Sequence, residues 1–146
     1  KRLKVAATWA TMALVREDIR SFCDTVRHQV SRDAHSQALT LVQERLDIFQ
    51  EEQDQPGIAA SFLMLALVRA GTPSRYDLED TLNMLEQARD AFDQDDLAGQ
   101  MECLRLKSHV YFKAKQMDKA QKVAEQMVKT TKVNGDLSDR GKALLT

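Results

Sequence analysis

The residues in this chain whose types could do chemistry are few: His28, His35 and His109, Cys23 and Cys103, and the carboxylates Asp93, Asp95 and Asp96. A zinc site needs four ligands at recognisable spacing, and the chain holds neither a Cys-x-x-Cys pair nor a His-Glu-x-x-His run. Cys23 and His28 are five apart, off one another's face on a helix. A cysteine nucleophile would need one of the thiols beside His28 or His109 and a third group to orient the base, and no local motif marks such a set. Cys103 fits the small, inert packing thiol better. Asp93, Asp95 and Asp96 sit where a helix ends and another begins, so they suit capping rather than acid/base work. With 5 glycines in the chain, no Gly-rich phosphate cradle can be assembled. We therefore expect no catalytic residues, no metal and no cofactor, and a chain that is not an enzyme.

A basic stretch, Lys107, Lys113, Lys115, Lys119, Lys122, Lys129 and Lys132, invites a test for nucleic acid. Its aromatic interleaving is limited to Tyr111 and Phe112, with Tyr111 needed for packing, so a solvated face is expected and no nucleic-acid partner. The wider charge pattern agrees. Residues 1–43 carry 7 Lys/Arg against 4 Asp/Glu, residues 44–99 carry 4 against 13, and residues 100–133 carry 8 against 3. An acidic middle between basic ends is not one continuous basic footprint. Two distant cysteines in a chain of 146 residues suit free thiols in a reducing, cytoplasmic setting. No run of 18 apolar residues occurs, so no membrane span is expected.

The elements that carry these residues are helices throughout. Leu39, Val42, Leu46 and Phe49 repeat at 3, 4 and 3, one stripe of a helix, and Phe62, Leu65 and Val68 continue the pattern. So do Leu78, Leu82, Leu85, Ala88 and Phe92, then Leu104, Ser108 and Tyr111, then Ala120, Val123, Ala124 and Met127. With 5 Gly and 2 Pro there is little turn chemistry for a sandwich or barrel. Breaks fall at Gly71-Thr72-Pro73-Ser74, where Ser74 can cap, at Asp54 with Pro56 in the first turn, at Asp95-Asp96 and at Asn134-Gly135-Asp136. The pattern predicts helices near 3–15, 18–31, 34–52, 56–70, 75–93, 96–114, 118–133 and from 136 onward, about seven or eight in all. Short connections make neighbours antiparallel. Trp9, with Leu3 and Ala6, is expected to pack its helix against 18–31.

The helices repeat in pairs. Asp96-Leu97-Ala98 through Leu104 aligns with Asp136-Leu137-Ser138 through Leu144 at an offset of 40, and Asp54 with Gly57 aligns with Asp96 and Gly99 at an offset of 42. Ala38, Val42 and Asp54 lie 82 residues before Ala120, Ala124 and Asp136. Thr81 and Leu85 fill the same slots in the middle copy. A repeat of this length means one two-helix unit stacked on the next.

At Leu104, Ser108, Tyr111, Ala120, Ala124 and Met127 the chain resembles the tetratricopeptide repeat (TPR), in its longer-period form of about 40 residues. Departures are visible: Ser108 and Ala66 stand where that family has Gly, and Phe22, Val26 and Gln29 where it has Leu, Gly and Tyr. The resemblance implies an all-α, antiparallel helix-hairpin α-solenoid, a single repeat segment over 1–146 with units near 18–53, 54–95 and 96–135 and a further unit starting at 136–146. Leu144-Leu145, in place of a polar capping helix, leads us to expect a longer protein. It also implies a non-catalytic interaction scaffold whose concave groove, lined by the first helix of each unit, takes a peptide or partner helix. On that register the groove residues are Arg27, with Cys23 and Val30; Leu63 and Leu67, with Ala70; and Arg105, His109 and Phe112. The Lys/Asn set with which chaperone-binding members hold a C-terminal carboxylate is absent from these positions. Two other roles remain open: a structural subunit embedded in a larger assembly, or the sensing array of a longer multidomain protein. Oligomeric state is left open.

Overall fold

The structure is a computed structural model that describes residues 12–72 and 77–145, with side chains as far as Lys132. Among the described residues there are six α-helices and no strand: α1 (Glu17–Ser31), α2 (His35–Glu51), α3 (Gln55–Gly71), α4 (Leu78–Ala91), α5 (Leu97–Lys113) and α6 (Met117–Leu145), preceded by a 3-10 turn, Ala13–Val15. The expectation of an all-α chain of helix hairpins holds, with six α-helices among the described residues against the seven or eight expected for the whole chain.

Local chemistry explains most boundaries. Asp54 caps α3 by accepting from the Gly57 N–H at 3.3 Å, with Pro56 in the first turn, and Asp96 caps α5 by accepting from the Gly99 N–H at 3.0 Å. At α4 the cap is Asp77, which accepts from the Asp80 N–H at 3.2 Å, so the helix starts at Leu78; the expected cap, Ser74, lies outside the described residues. Three connections close in the same way without glycine. Asp33, Gln53 and Lys115 take φ of 59°, 53° and 62°. The next N–H in each then reaches back over the turn, Ala34 to the Gln29 carbonyl and Asp54 to that of Phe49, both at 2.8 Å, and Gln116 to that of Tyr111 at 2.9 Å. This is the Schellman closure. Asp33 and Lys115 stand 82 residues apart, the offset seen in the sequence.

Two expectations change. The break at Asn134-Gly135-Asp136 does not form; α6 runs through it from Met117 to Leu145. One glycine costs a helix only about 1 kcal/mol, too little to stop it. The units drawn as 96–135 and 136–146 therefore share one continuous helix. Of the helix expected near 3–15, the described part is the single 3-10 turn, and Trp9 lies outside the described residues.

Helices adjacent in sequence pack together, and α3 also touches α1 and α5, so α1, α3 and α5 lie side by side as an inner layer. α3 is the middle of that layer and is apolar nearly all round, burying Ala59, Ala60, Leu63, Met64, Leu65, Ala66, Val68 and Ala70. Its small residues permit close approach on several sides, and its one buried hydroxyl, Ser61, donates back to the Gly57 carbonyl at 2.8 Å. Unit junctions share a second device. The Phe49 ring lies over Gly57, and the Phe92 ring over Gly99, so closely that a Cβ at either glycine would stand 2.3 Å from ring carbon Cδ1. Phe49 also meets Phe22 edge to face, with centroids 6.3 Å apart. Within the last hairpin Ser108 Oγ donates to the Ala120 carbonyl at 3.2 Å, which a larger residue at 108 would prevent.

Candidate protein-binding surface

Nine residues of the inner layer were expected to face a groove, three from each of α1, α3 and α5. α5 presents its three most openly. Arg105, His109 and Phe112 fall on one face at spacings of 4 and 3, all exposed, with Phe112 at 60%. The opposite face of α5 gives Cys103, Leu104, Leu106 and Val110 to the core. An exposed phenyl ring on a helix already anchored by four buried residues is available for contact with another molecule.

On α1 and α3 the expectation needs correcting. Leu63 is 1% exposed, Cys23 1% and Ala70 3%: these are core residues, not open anchors. Leu67 is half-buried. The cause is packing: α3 is covered by α1, α2, α4 and α5, and Leu63 and Cys23 belong to the core cluster they form. Across the layer, Arg27 Nη2 of α1 meets Glu102 Oε2 of α5 at 3.9 Å. Glu102, absent from the sequence reading, ties the rim together. It accepts from Arg105 Nη2 at 2.8 Å, and this hydrogen bond raises the Arg105 pKa. Arg27, Glu102 and Arg105 thus form a charged strip from α1 to α5, continued along α5 by His109 and Phe112. As exposed pairs these bridges set charge pattern more than stability.

A second constellation was not foreseen. The turn Ala13–Val15 touches α1, α3 and α5. The buried Ala13 N–H donates to Asp96 Oδ2 at 2.9 Å. Arg16 forks onto Asp54, Nη1 to Oδ1 at 2.9 Å and Nη2 to Oδ2 at 2.5 Å. Its Nε donates to Asp18 Oδ1 at 2.7 Å. The Arg16 hydrogen bond holds the carboxyls of Asp54 and Asp18 below the usual range, and those bonds raise the Arg16 pKa. Asp54 and Asp96 were legible in sequence as caps; nothing local announced that their carboxylates would also hold a segment 38 and 83 residues away.

For the groups tested for chemistry, burial is decisive. Cys23 and Cys103 are free and buried, and desolvation pushes their thiols up to about 11 and about 12. A thiolate nucleophile is disfavoured at both. Among the described residues no group of three or more His, Cys, Asp and Glu side chains is placed to hold a metal ion. The cleft between the end of α4, the start of α5 and α6, about 370 Å³, is shallow and lined largely by polar residues such as Arg89, Gln100 and Gln126. Among the described residues no helix is long and apolar enough to cross a membrane. The chain matches no protein-family model, no curated protein and no solved structure.

Proposed function

We propose that this chain is a non-catalytic, TPR-like scaffold that binds a peptide or partner helix of another protein along the exposed face of α5. The observation that carries the reading is the stripe Arg105–His109–Phe112, an exposed aromatic in line with two cationic or titratable groups on a helix whose other face is core. Such a stripe offers what a partner segment needs: an apolar anchor with a charged rim. Arg27 reaches its Arg105 end through Glu102. The repeated Asp-x-x-Gly junctions under Phe49 and Phe92, and the matched turns at Asp33 and Lys115, support a repeat architecture. Two buried, unpaired thiols support a reducing, cytoplasmic setting.

A photo-crosslinking amino acid at position 112 tests this, with one at Glu44, an exposed residue on α2, as control. The expected result is a discrete protein adduct from position 112 that is lost on Arg105→Glu, with helicity and melting unchanged. The same adduct from position 44, or an adduct indifferent to Arg105→Glu, would refute the assignment.

A second reading has its own observation. α6 spans 29 residues, about 44 Å at 1.5 Å per residue, against 17 for α5, and Val128 on it is 67% exposed. Those features suit a structural subunit whose long helix is covered in a larger assembly. A Val128→Glu change that released the chain from such an assembly while sparing the position-112 adduct would favour it.

A further inference from the structure

The segment before α1 is seated against the N-terminal ends of the inner helices as a ligand would be. Four successive residues divide the work. Ala13 is 0% exposed and its N–H is held by Asp96; Leu14 packs, half-buried, on the core; Val15 is 51% exposed; Arg16 forks onto Asp54. The two carboxylates hold the same place in successive repeats, 42 residues apart. In each, Oδ1 caps the helix through Gly57 or Gly99 and Oδ2 reaches the segment; at Asp54, Oδ1 also accepts from Arg16 Nη1 at 2.9 Å. A carboxylate has acceptor sites for both tasks. Arg16 is also the N-cap residue of α1: its carbonyl accepts from the Arg20 N–H at 2.8 Å, and no side chain caps the helix.

We propose that this row of capping carboxylates is a docking edge for a segment of the pattern small–Leu–x–Arg, filled in this chain by Ala13–Arg16, and that a partner protein's arginine-bearing segment of the same chemistry competes for it. Charge favours such a partner: residues 44–99, which supply both carboxylates, carry 13 acidic against 4 basic residues. The buried N–H site admits only a small side chain beside it, and the fork on Asp54 selects Arg over Lys because two parallel donors are needed. The edge is separate from the α5 stripe. Asp96 precedes Arg105, His109 and Phe112 by 9 to 16 residues, roughly 14–24 Å along the helix. Neither proposal rests on the other.

The tethered segment competes at an effective concentration on the order of millimolar, so a short peptide in solution needs the tethered arginine removed. The test titrates a blocked peptide of residues 12–18, Met-Ala-Leu-Val-Arg-Glu-Asp, into the ¹⁵N-labelled full chain carrying Arg16→Ala. Saturable shifts of the Gly57 and Gly99 amides are expected, at least ten-fold weaker in binding with the unaltered chain. A peptide with Arg→Ala, or the chain with Asp54→Asn added, should lose them. A folded Arg16→Ala chain without saturable shifts, or one that binds no better than the unaltered chain, overturns the proposal. Should Arg16→Ala fail to fold, hydrogen exchange of the unaltered chain decides. An Ala13 amide that exchanges at least a hundred-fold faster than Leu65 and Ala66 shows a segment that detaches locally. Equal protection shows an integral part of the core and overturns the proposal.

Discussion

Gly57→Ala should destabilise this protein although it replaces the second-worst helix former with the best. On propensity alone the change is favourable by about 1 kcal/mol. The Phe49 ring reverses the sign. A Cβ at position 57 would lie 2.3 Å from Phe49 Cδ1, 2.4 Å from Cγ and 2.7 Å from Cε1. Carbon atoms in contact prefer about 3.5 Å or more, leaving a shortfall of roughly 1.2 Å. The ring cannot swing freely, since Phe49 is 3% exposed and held edge-on by Phe22. Overpacking of this kind costs up to about 3 kcal/mol, so the net loss is about 2 kcal/mol, or about 4–8 °C in melting temperature for a chain of this size. Gly99→Ala under Phe92 should behave alike. The assay is urea unfolding followed by circular dichroism, run as a double-mutant cycle with Phe49→Ala. In the truncated background Gly57→Ala should become neutral or stabilising, a coupling of about 2–3 kcal/mol. A stabilised Gly57→Ala single variant, or a coupling near zero, would refute the ring-over-glycine account.

Four further outcomes are expected. Gln53→Gly should stabilise by about 0.5–1 kcal/mol, because Gln53 holds a left-handed conformation that only glycine adopts freely; a urea midpoint that fell would contradict this. Asp96→Ala should cost about 2–4 kcal/mol by losing the Gly99 cap and stranding the buried Ala13 N–H, whereas Asp95→Ala, at an exposed site, should stay within about 0.5 kcal/mol. Cys23 and Cys103, with thiols raised by burial to about 11 and about 12, should react with a maleimide at pH 8 at least ~100-fold more slowly in the native chain than in guanidinium. The folded-state pKa of Asp54 is depressed, so the Arg16–Asp54 contribution is fully present above the unfolded carboxyl value of about 3.9 and is lost as pH falls through the depressed value. Stability measured from pH 6 down to pH 2 should therefore decline less steeply below about pH 4 in Arg16→Ala; parallel curves would count against the pair.

Arg105, His109 and Phe112 were placed on one face by the register that the repeat resemblance implies, and in the structure all three are exposed. The companion expectation at Leu63 failed, because a register does not say which neighbouring helices will cover a residue. Glu102 shows the same gap: it carries no motif, and its role exists only because Arg27 of α1 arrives beside it.

What the sequence by itself determined is what neighbours within a turn or two decide: the existence of the helices, the caps at Asp54 and Asp96, and the 42-residue period that brings Gly57 and Gly99 to matching places. Apolar period and side-chain caps act over a few residues, so a linear reading sees them. The continuity of α6 through Asn134-Gly135 and the left-handed turns at Asp33, Gln53 and Lys115 are local too, but each is a close contest that a linear reading does not settle. Tertiary structure alone buried Leu63 and set the Ala13 N–H on a carboxylate 83 residues on. Each of those outcomes turns on an energy of about 1–3 kcal/mol, too small to be settled by apolar period and caps alone.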